Sequence, residues 1–409
     1  IVIEGAGSPA EINLKSDDIV NMGMARMAKA PVLLAGDIDR GGVFAQLYGT
    51  VMLLEPEERK MVKGLIINKF RGDKSILDPG VEMIEDLCRI PVVGVTPYMD
   101  VDIEDEDSLS SRLTAIFPGE RQEHGVFADI AVIRFPRLSN FTDFHVLSAM
   151  KGASVRYVSR SSELGRPDMI ILPGTKNTMG DLLWMRQNGL EALILKAAAK
   201  GTPIWGICGG YQMLGDILSD PEGIEAGGTM KGTGLLPLET IFTKEKTRTR
   251  VDGRFLKVEG ILAGLEGISF EGYEIHMGST GYSGSNVDNR STVDGGSIVD
   301  SERVINPESR GNEKRYMCRI QNEADGSVKY DGIFSGNVYG TYVHGIFDEG
   351  TLAETLVGIL AERKGVVLDT GQMISYGQFK QMQYDKLADG LRESMDMKAV
   401  YAMLREAAI

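Results

Sequence analysis

The stretch GTPIWGICGGYQMLGDI, residues 201–217, sets one cysteine, Cys208, between an apolar run and a glycine pair in a chain that holds three cysteines. PIWGIC followed by GGYQMLGDIL reads as strand, sharp turn and helix with Cys208 at the corner, the nucleophile-elbow arrangement best known for serine. Backbone N–H groups at the start of such a helix favour a thiolate and can hold an oxyanion. A free cysteine is ordinarily a small core residue. Glycine on both sides argues for chemistry instead. A sulfur nucleophile needs a base, and the chain offers His124, His145, His276 and His344. His344 is the candidate, because VYGTYVHGIFD is a second buried run that ends in His-Gly, where a ring projects from a strand end.

These groups need a scaffold, and the apolar pattern supplies one. IVIEGAG, PVLLAGDID, VKGLIINKF and PVVGVTP alternate with the amphipathic stretches DDIVNMGMARMAKA, GGVFAQLYGTVMLL and PGVEMIEDLCRI. Such βαβ punctuation, with strands too apolar to be half exposed, predicts a parallel sheet covered on both faces. Ligands bind such sheets at the carboxyl ends of the strands. Those ends carry Glu4-Gly5-Ala6-Gly7, Asp37 to Gly42, and Asn68-Lys69. The acidic run VDIEDEDSLSSR, 101–112, and the polar stretch up to His124 read as a linker, which puts a domain boundary near residue 120. DIAVIRFP, VRYV, DMIILPG, PIWGIC and VYGTYVHGIF then repeat the α/β pattern. Residues 283–335 are rich in Ser, Gly, Asn and Asp and predict surface hairpins or loops. TLAETLVGILAERKG and the stretch from Phe379 to Ala408 carry helical spacing.

The chain has 409 residues, 43% of them apolar and a quarter charged, as two well-folded domains would. Its net charge of −14 argues against a general nucleic-acid or anionic-membrane surface. Three widely spaced cysteines make neither a zinc ribbon nor a disulfide framework and suit a cytoplasmic protein. No apolar run approaches the ~18 residues of a membrane span. The opening IVIEGAG reads as a buried strand already in progress, so the sequence is taken as part of a longer chain.

LPGTKNTMGDL, GICGGYQMLG and GTYVHGIFD, in that order, resemble the glutamine amidotransferase domain of the cobyric acid synthase and cobyrinate diamide synthase group. The resemblance implies that Cys208 attacks the glutamine carboxamide, that His344 is base and then acid, and that the backbone N–H groups of Gly174 and Gly209 form the oxyanion hole. Gln212, one helical turn beyond the cysteine, would contact the substrate glutamine. Where triad glutaminases carry a glutamate two residues after the histidine, Ile346 stands here, so a Cys-His dyad is expected. Asp348 and Glu274 are the acids considered for orienting the ring, and neither spacing selects one. GTK at 174–176 is no phosphate loop, since that motif needs glycine before the lysine and Ser or Thr after it.

EGAGSPAEINL, GDIDRGGVFAQLYGT, GLIINKFRGD, RLSNFTDF and GYEIHMG extend the likeness over nearly the whole chain and favour the cobyric acid synthase branch. That branch implies two parallel-sheet α/β domains with C-terminal helices. Residues 1–120 would be a dethiobiotin-synthetase-like synthetase domain, here without its phosphate loop, and 121–409 a class I-type glutamine amidotransferase domain. ATP would activate a carboxylate as an acyl phosphate for ammonia to attack, with Mg²⁺ on the phosphates. Glu4 resembles the metal ligand. Asn68 and Lys69 fall at the nucleotide, and Asp37, Asp39, Arg40, Glu274 and His276 on the substrate side. The implied reaction is glutamine-dependent amidation of the b, d, e and g carboxylates of adenosylcobyrinic acid a,c-diamide, a corrinoid. A cobyrinate a,c-diamide synthase or a lipid II glutamate amidotransferase shares the glutaminase pattern. The DRGGVFA and SNFTDF pair favours the first reading. A non-enzymatic binding module would be expected to lose Cys208 or His344, and both are present.

Overall fold

The computed structural model describes residues 1–103, 127–150, 152–283, 316–367 and 376–407. The acidic linker from residue 104 onward and His124 fall outside them, as does much of the 283–335 stretch. Two compact units emerge: Ile1–Ile103 together with Lys380–Ile409, and Glu104–Phe379.

In the first unit β1 (Val32–Asp37), β2 (Val62–Phe70) and β3 (Val92–Pro97) form a parallel sheet in the order β1-β2-β3. Helices α1 (Met22–Ala28), α2 (Val43–Leu53), α3 (Pro56–Arg59) and α4 (Lys74–Cys88) connect or flank the strands. Leu34, Leu65 and Ile67 of the sheet pack with Val43, Leu47, Val51, Ile84 and Cys88 of the helices. Parallel pairing sets Asp37 opposite Asn68, so the two candidate residues meet at the carboxyl edge. IVIEGAG is not a strand: residues 1–7 pair with no neighbour and are exposed, because a strand exists only through the partner that takes up its backbone groups.

The second unit holds a twelve-stranded mixed sheet. Its parallel part orders β14 (Val338–Thr341), β7 (Ile204–Ile207), β6 (Met169–Leu172), β4 (Ala128–Ile133) and β5 (Ala153–Val158). Both faces are buried: Trp205 and Ile171 enter one core, Ile204 and Leu172 the other. Helices α5 (His145–Ala149) and α9 (Leu352–Glu362) serve the first core; α6 (Thr178–Gln187), α7 (Leu190–Ala199) and α8 (Gly209–Met213) serve the second. Beyond β14 the sheet continues antiparallel through β13 (Val328–Ser335), β12 (Tyr316–Asn322), β10 (Leu238–Phe255), β11 (Ser269–Tyr282) and β15 (Val343–His344). Short β8 (Ile217–Asp220) and β9 (Gly228–Lys231) attach to β10. The described end of the loop-rich stretch is therefore the β12–β13 hairpin.

The elbow demands glycine at close approaches. A Cβ on Gly210 would sit 1.9 Å from the Leu172 carbonyl oxygen, and one on Gly340 would sit 2.1 Å from the Tyr211 ring. Gly340→Ala is expected to cost about 1–3 kcal/mol, as overpacking of a filled core does, read as a lower urea midpoint at unchanged m-value.

The C-terminal helices α10 (Tyr376–Ser394) and α11 (Met397–Ala407) form as their periodicity predicts. The domain division differs from the sequence reading, which assigned everything from 121 to 409 to the second domain. From Lys380 onward the chain belongs to the first unit, because Met395 bridges Gly94 and Asp396 N–H donates to the Val93 carbonyl at 2.7 Å along β3. Among the described residues no helix is long and apolar enough to cross a membrane.

Candidate active site

Cys208 caps the short helix α8 with φ 52° and ψ −111°, a left-handed φ that a non-glycine residue adopts only when its surroundings impose it. The surroundings here are explicit. Cys208 N–H donates to the Thr341 carbonyl at 2.9 Å, and its own carbonyl accepts from Gln212 N–H at 3.0 Å. The sulfur, in a residue 6% exposed, lies 3.6 Å from the Ile275 carbonyl oxygen of β11.

His344 ends β15 and is buried. Its Nδ1 lies 2.7 Å from Asp143 Oδ2, and Asp143 Oδ1 accepts from Gly345 N–H at 3.2 Å. Burial alone would lower the pKa of the ring, but the Asp143 carboxylate, with the Cys208 side chain beside it, outweighs burial and raises it to about 10. The imidazole is thus held as a cation between a carboxylate and the sulfur. Asp143, the carboxylate that holds the ring, is not among the residues that the sequence singles out. It sits in the 3₁₀ turn Phe141–Phe144, within the quoted RLSNFTDF stretch, and 201 positions of chain separate it from His344. Neither acid considered earlier orients the ring through Nδ1. Glu274 instead pairs with Lys329 Nζ at 2.7 Å, and Asp348 lies by Gly345. Tyr273 stacks on the His344 ring, with centroids 5.5 Å apart, and accepts from Asn140 Nδ2 at 2.6 Å. Its pKa is pushed up to about 12, first by burial and then by the Asp143 charge.

Gly174 lies beside the His344 ring, and Gly209 follows Cys208 at the elbow. A Cβ on Gly174 would lie 2.7 Å from His344 Cε1, and one on Gly209 would lie 3.2 Å from Thr175 N. The Gly174–Thr175 loop is pinned by Ser139 N–H to the Gly174 carbonyl at 3.0 Å, and by Thr175 Oγ1 to the buried Asp181. Gln212 is also present but differently committed. Its Oε1 accepts from Thr178 Oγ1 at 2.9 Å, while its Nε2 reaches the Met277 carbonyl at 3.0 Å and Tyr342 Oη at 3.2 Å. Both amide protons are therefore taken, and the side chain ties β11 to the elbow rather than facing an open site. His276 lies on β11 with Glu274, stacked on Tyr342 at 3.8 Å between centroids.

In the first unit, Asn68 Oδ1 accepts from Thr96 Oγ1 at 2.6 Å and from Lys69 N–H at 2.9 Å, which orients the Asn68 amide. Lys69 has a left-handed φ of 62° and its Nζ pairs with Asp37 Oδ2 at 2.9 Å. That ammonium, with burial opposing it, holds the Asp37 carboxyl below its usual range. Asp39 pairs with Arg71, whose guanidinium lies over the Tyr98 ring. Arg40 is exposed, and its charge helps to lower the Asp37 pKa. Glu4 is an exposed carboxylate outside any strand, and among the described residues no three His, Cys, Asp or Glu side chains converge as a metal cage. Magnesium is ordinarily held by one or two carboxylates together with nucleotide phosphates rather than by such a cage.

Comparisons with known proteins agree with this arrangement. Residues 129–352 match the CobB/CobQ-like glutamine amidotransferase domain, and residues 1–104 match an AAA domain. The chain is 55% identical over 406 residues to the cobyric acid synthase of Ruminiclostridium cellulolyticum, covering 99% of this chain and 73% of that protein. It is 53% identical over 416 residues to that of Lachnoclostridium phytofermentans, covering 99% and 75%. The corresponding enzyme of Alkaliphilus metalliredigens is 48% identical over 408 residues, covering 99% and 75%. An elbow cysteine, a histidine drawn to it across the sheet and this similarity over almost its full extent agree: the chain belongs to the cobyric acid synthase family of ATP-dependent, glutamine-hydrolysing, amide-forming enzymes of cobalamin biosynthesis.

Proposed function

We propose that Cys208, His344 and Asp143 hydrolyse glutamine and that the ammonia amidates the b, d, e and g carboxylates of adenosylcobyrinic acid a,c-diamide, giving adenosylcobyric acid. The observation that carries the glutaminase half is the 2.7 Å contact between His344 Nδ1 and Asp143 in a ring that also faces Cys208. Cys208 sulfur attacks the carboxamide carbon, and the oxyanion forms against the N–H groups of Gly174 and Gly209. His344 gives its Nε2 proton to the departing nitrogen, so ammonia leaves and a thioester remains. It then takes a proton from the water that attacks the thioester, releasing glutamate. Asp143 keeps the ring oriented and stabilises its positive charge.

The synthetase half of this reading falls to the first unit. ATP supplies the activation that makes a carboxylate reactive to ammonia. Asn68 would meet the base with its amide, and Lys69 would lie by the nucleotide. Asp37, Asp39 and Arg40 would line the corrinoid or phosphate side at the same strand ends. Magnesium would arrive with the nucleotide, Glu4 being the carboxylate the family likeness offers it. The boundary between the two activities follows the compact units rather than residue 120.

A glutamine-mimicking diazoketone, 6-diazo-5-oxo-norleucine, tests the glutaminase assignment. The expected result is one covalent adduct, located by peptide mass spectrometry on the segment that contains Cys208, with glutamine protecting against it. Labelling at Cys88 or Cys318 instead, or no labelling while glutamate is still released, would remove Cys208 from the nucleophile's role.

A further inference from the structure

We infer that Asp331 is a positioning residue of the glutaminase, holding the one step of chain that fixes Cys208 on one side and His344 on the other, a role that rests on the glutaminase reading above. The step is Thr341–Tyr342, between β14 and β15. β14 pairs with β13 and with β7, the strand that leads into the elbow. β15 pairs instead with β11, setting His344 opposite Tyr273. The chain therefore changes partners here, and the β13 ladder ends at Gly340, opposite Ile333. Buried backbone that leaves one ladder before joining the next needs other partners for its polar groups.

Asp331 supplies them. Its own backbone is anchored by pairing with Cys318 of β12, whose thiol donates to the Asp331 carbonyl at 3.2 Å. Gly332 follows with φ 71°, and a Cβ there would lie 2.6 Å from the Gly340 carbonyl oxygen, so glycine is what lets the strands approach. The Asp331 carboxylate, in a residue 3% exposed, reaches across, and its Oδ2 accepts from the Thr341 hydroxyl and from Tyr342 N–H at 3.2 Å. Thr341 Oγ1 in turn accepts from Val343 N–H at 3.1 Å, which leaves its own proton for the carboxylate. Three consecutive residues thus hang on one side chain. The Thr341 carbonyl accepts from Cys208 N–H at 2.9 Å and so braces the elbow at its φ of 52°. Two residues beyond Tyr342, His344 meets Asp143 at 2.7 Å. Displacing the step moves nucleophile and base relative to each other, and reacting groups lose rate steeply when misplaced by an ångström. Asp331 acts through Thr341 and Tyr342, not on glutamine.

The test treats the whole protein with 6-diazo-5-oxo-norleucine and reads two quantities by mass spectrometry. The fraction labelled at Cys208 at saturation counts folded sites, and the rate constant of labelling reports how well the site is set. Glutamate release per labelled site is measured beside them. Asp331→Leu removes the acceptor and Thr341→Val the hydroxyl, and each is expected to slow labelling and glutamate release per site by about 10- to 100-fold. Thr341→Ser keeps the hydroxyl and should stay within about a factor of three of the parent. If Asp331→Leu does not accumulate as folded protein, Thr341→Val with its serine counterpart carries the same readout. A parental rate per labelled site in either folded variant, whatever its urea midpoint, overturns the positioning role, as does a Thr341→Ser protein as slow as Thr341→Val. Failure of both Asp331→Leu and Thr341→Val to fold overturns it too, because the hold would then be on the fold alone. A parent that neither releases glutamate nor is labelled at Cys208 overturns the glutaminase reading, and the positioning role with it.

Discussion

In the whole protein, phosphate loop included, Cys208→Ala is expected to lower glutamine-dependent amide formation by at least about 10⁴-fold, because a nucleophile that acts as a unit with its base leaves little behind when removed. With ammonium in place of glutamine the same variant should form amide within about a factor of three of the parent, as independent sites do. The asymmetry is informative. The Cys208 side chain fills little volume and its backbone bonds to Thr341 and Gln212 survive the substitution. Alanine at φ 52° is no more strained than cysteine was, so the fold is retained. Parallel loss of both activities would mean that Cys208 supports the structure rather than the hydrolysis. The two rates, with the urea midpoint of each protein, decide between these outcomes.

Asp143→Asn is the second large effect: glutaminase kcat/KM should fall by about 10²- to 10⁴-fold, the range for losing the carboxylate behind a catalytic histidine. The pH profile separates this role from mere packing. In the parent, the acid that protonates the departing nitrogen is lost as pH rises through about 10, so the alkaline limb should lie there. Without the carboxylate the largest influence opposing burial is gone, and the limb should move to lower pH. Stability follows the same linkage. A His344 pKa raised from 6.5 to about 10 on folding contributes stability that is fully present below pH 6.5 and is lost as pH rises through about 10. Denaturant midpoints at several pH values across that window should fall for the parent and flatten for Asp143→Asn. An unmoved alkaline limb in the variant would detach Asp143 from the ring's titration.

Much of the scaffold was legible in the residues. Parallel strands buried on both faces appear as continuous apolar runs, which is why VLLAGD, VKGLIINKF, MIIL and IWGI coincide with β1, β2, β6 and β7. The long antiparallel strands were not read. LETIFTKEKTRTRVDGRF in β10 alternates buried and exposed positions through a charged middle, a pattern that resembles a solvated loop until its partners β11 and β12 are known. IVIEGAG carried an apolar run with no partner to pair with. Gln212 was placed on the correct helix, but its direction depends on Thr178, Tyr342 and the Met277 carbonyl, which the helix alone does not specify.

Local order therefore fixes the corner that carries Cys208: glycines at 206, 209 and 210 allow the tight strand-to-helix turn, and a corner presents its side chain whatever lies elsewhere in the chain. Its partners are a matter of tertiary structure. Asp143 reaches His344 across 201 positions, and Glu274 of β11 meets Lys329 of β13 although β10 and β12 stand between those strands in the sheet order. The same holds for the C-terminal helices, whose periodicity fixes their form while the backbone of β3 selects the unit they join. Periodicity and turn chemistry act over a few residues, whereas the position of a carboxylate beside a ring depends on which strands pair, and that pairing is a property of the whole fold.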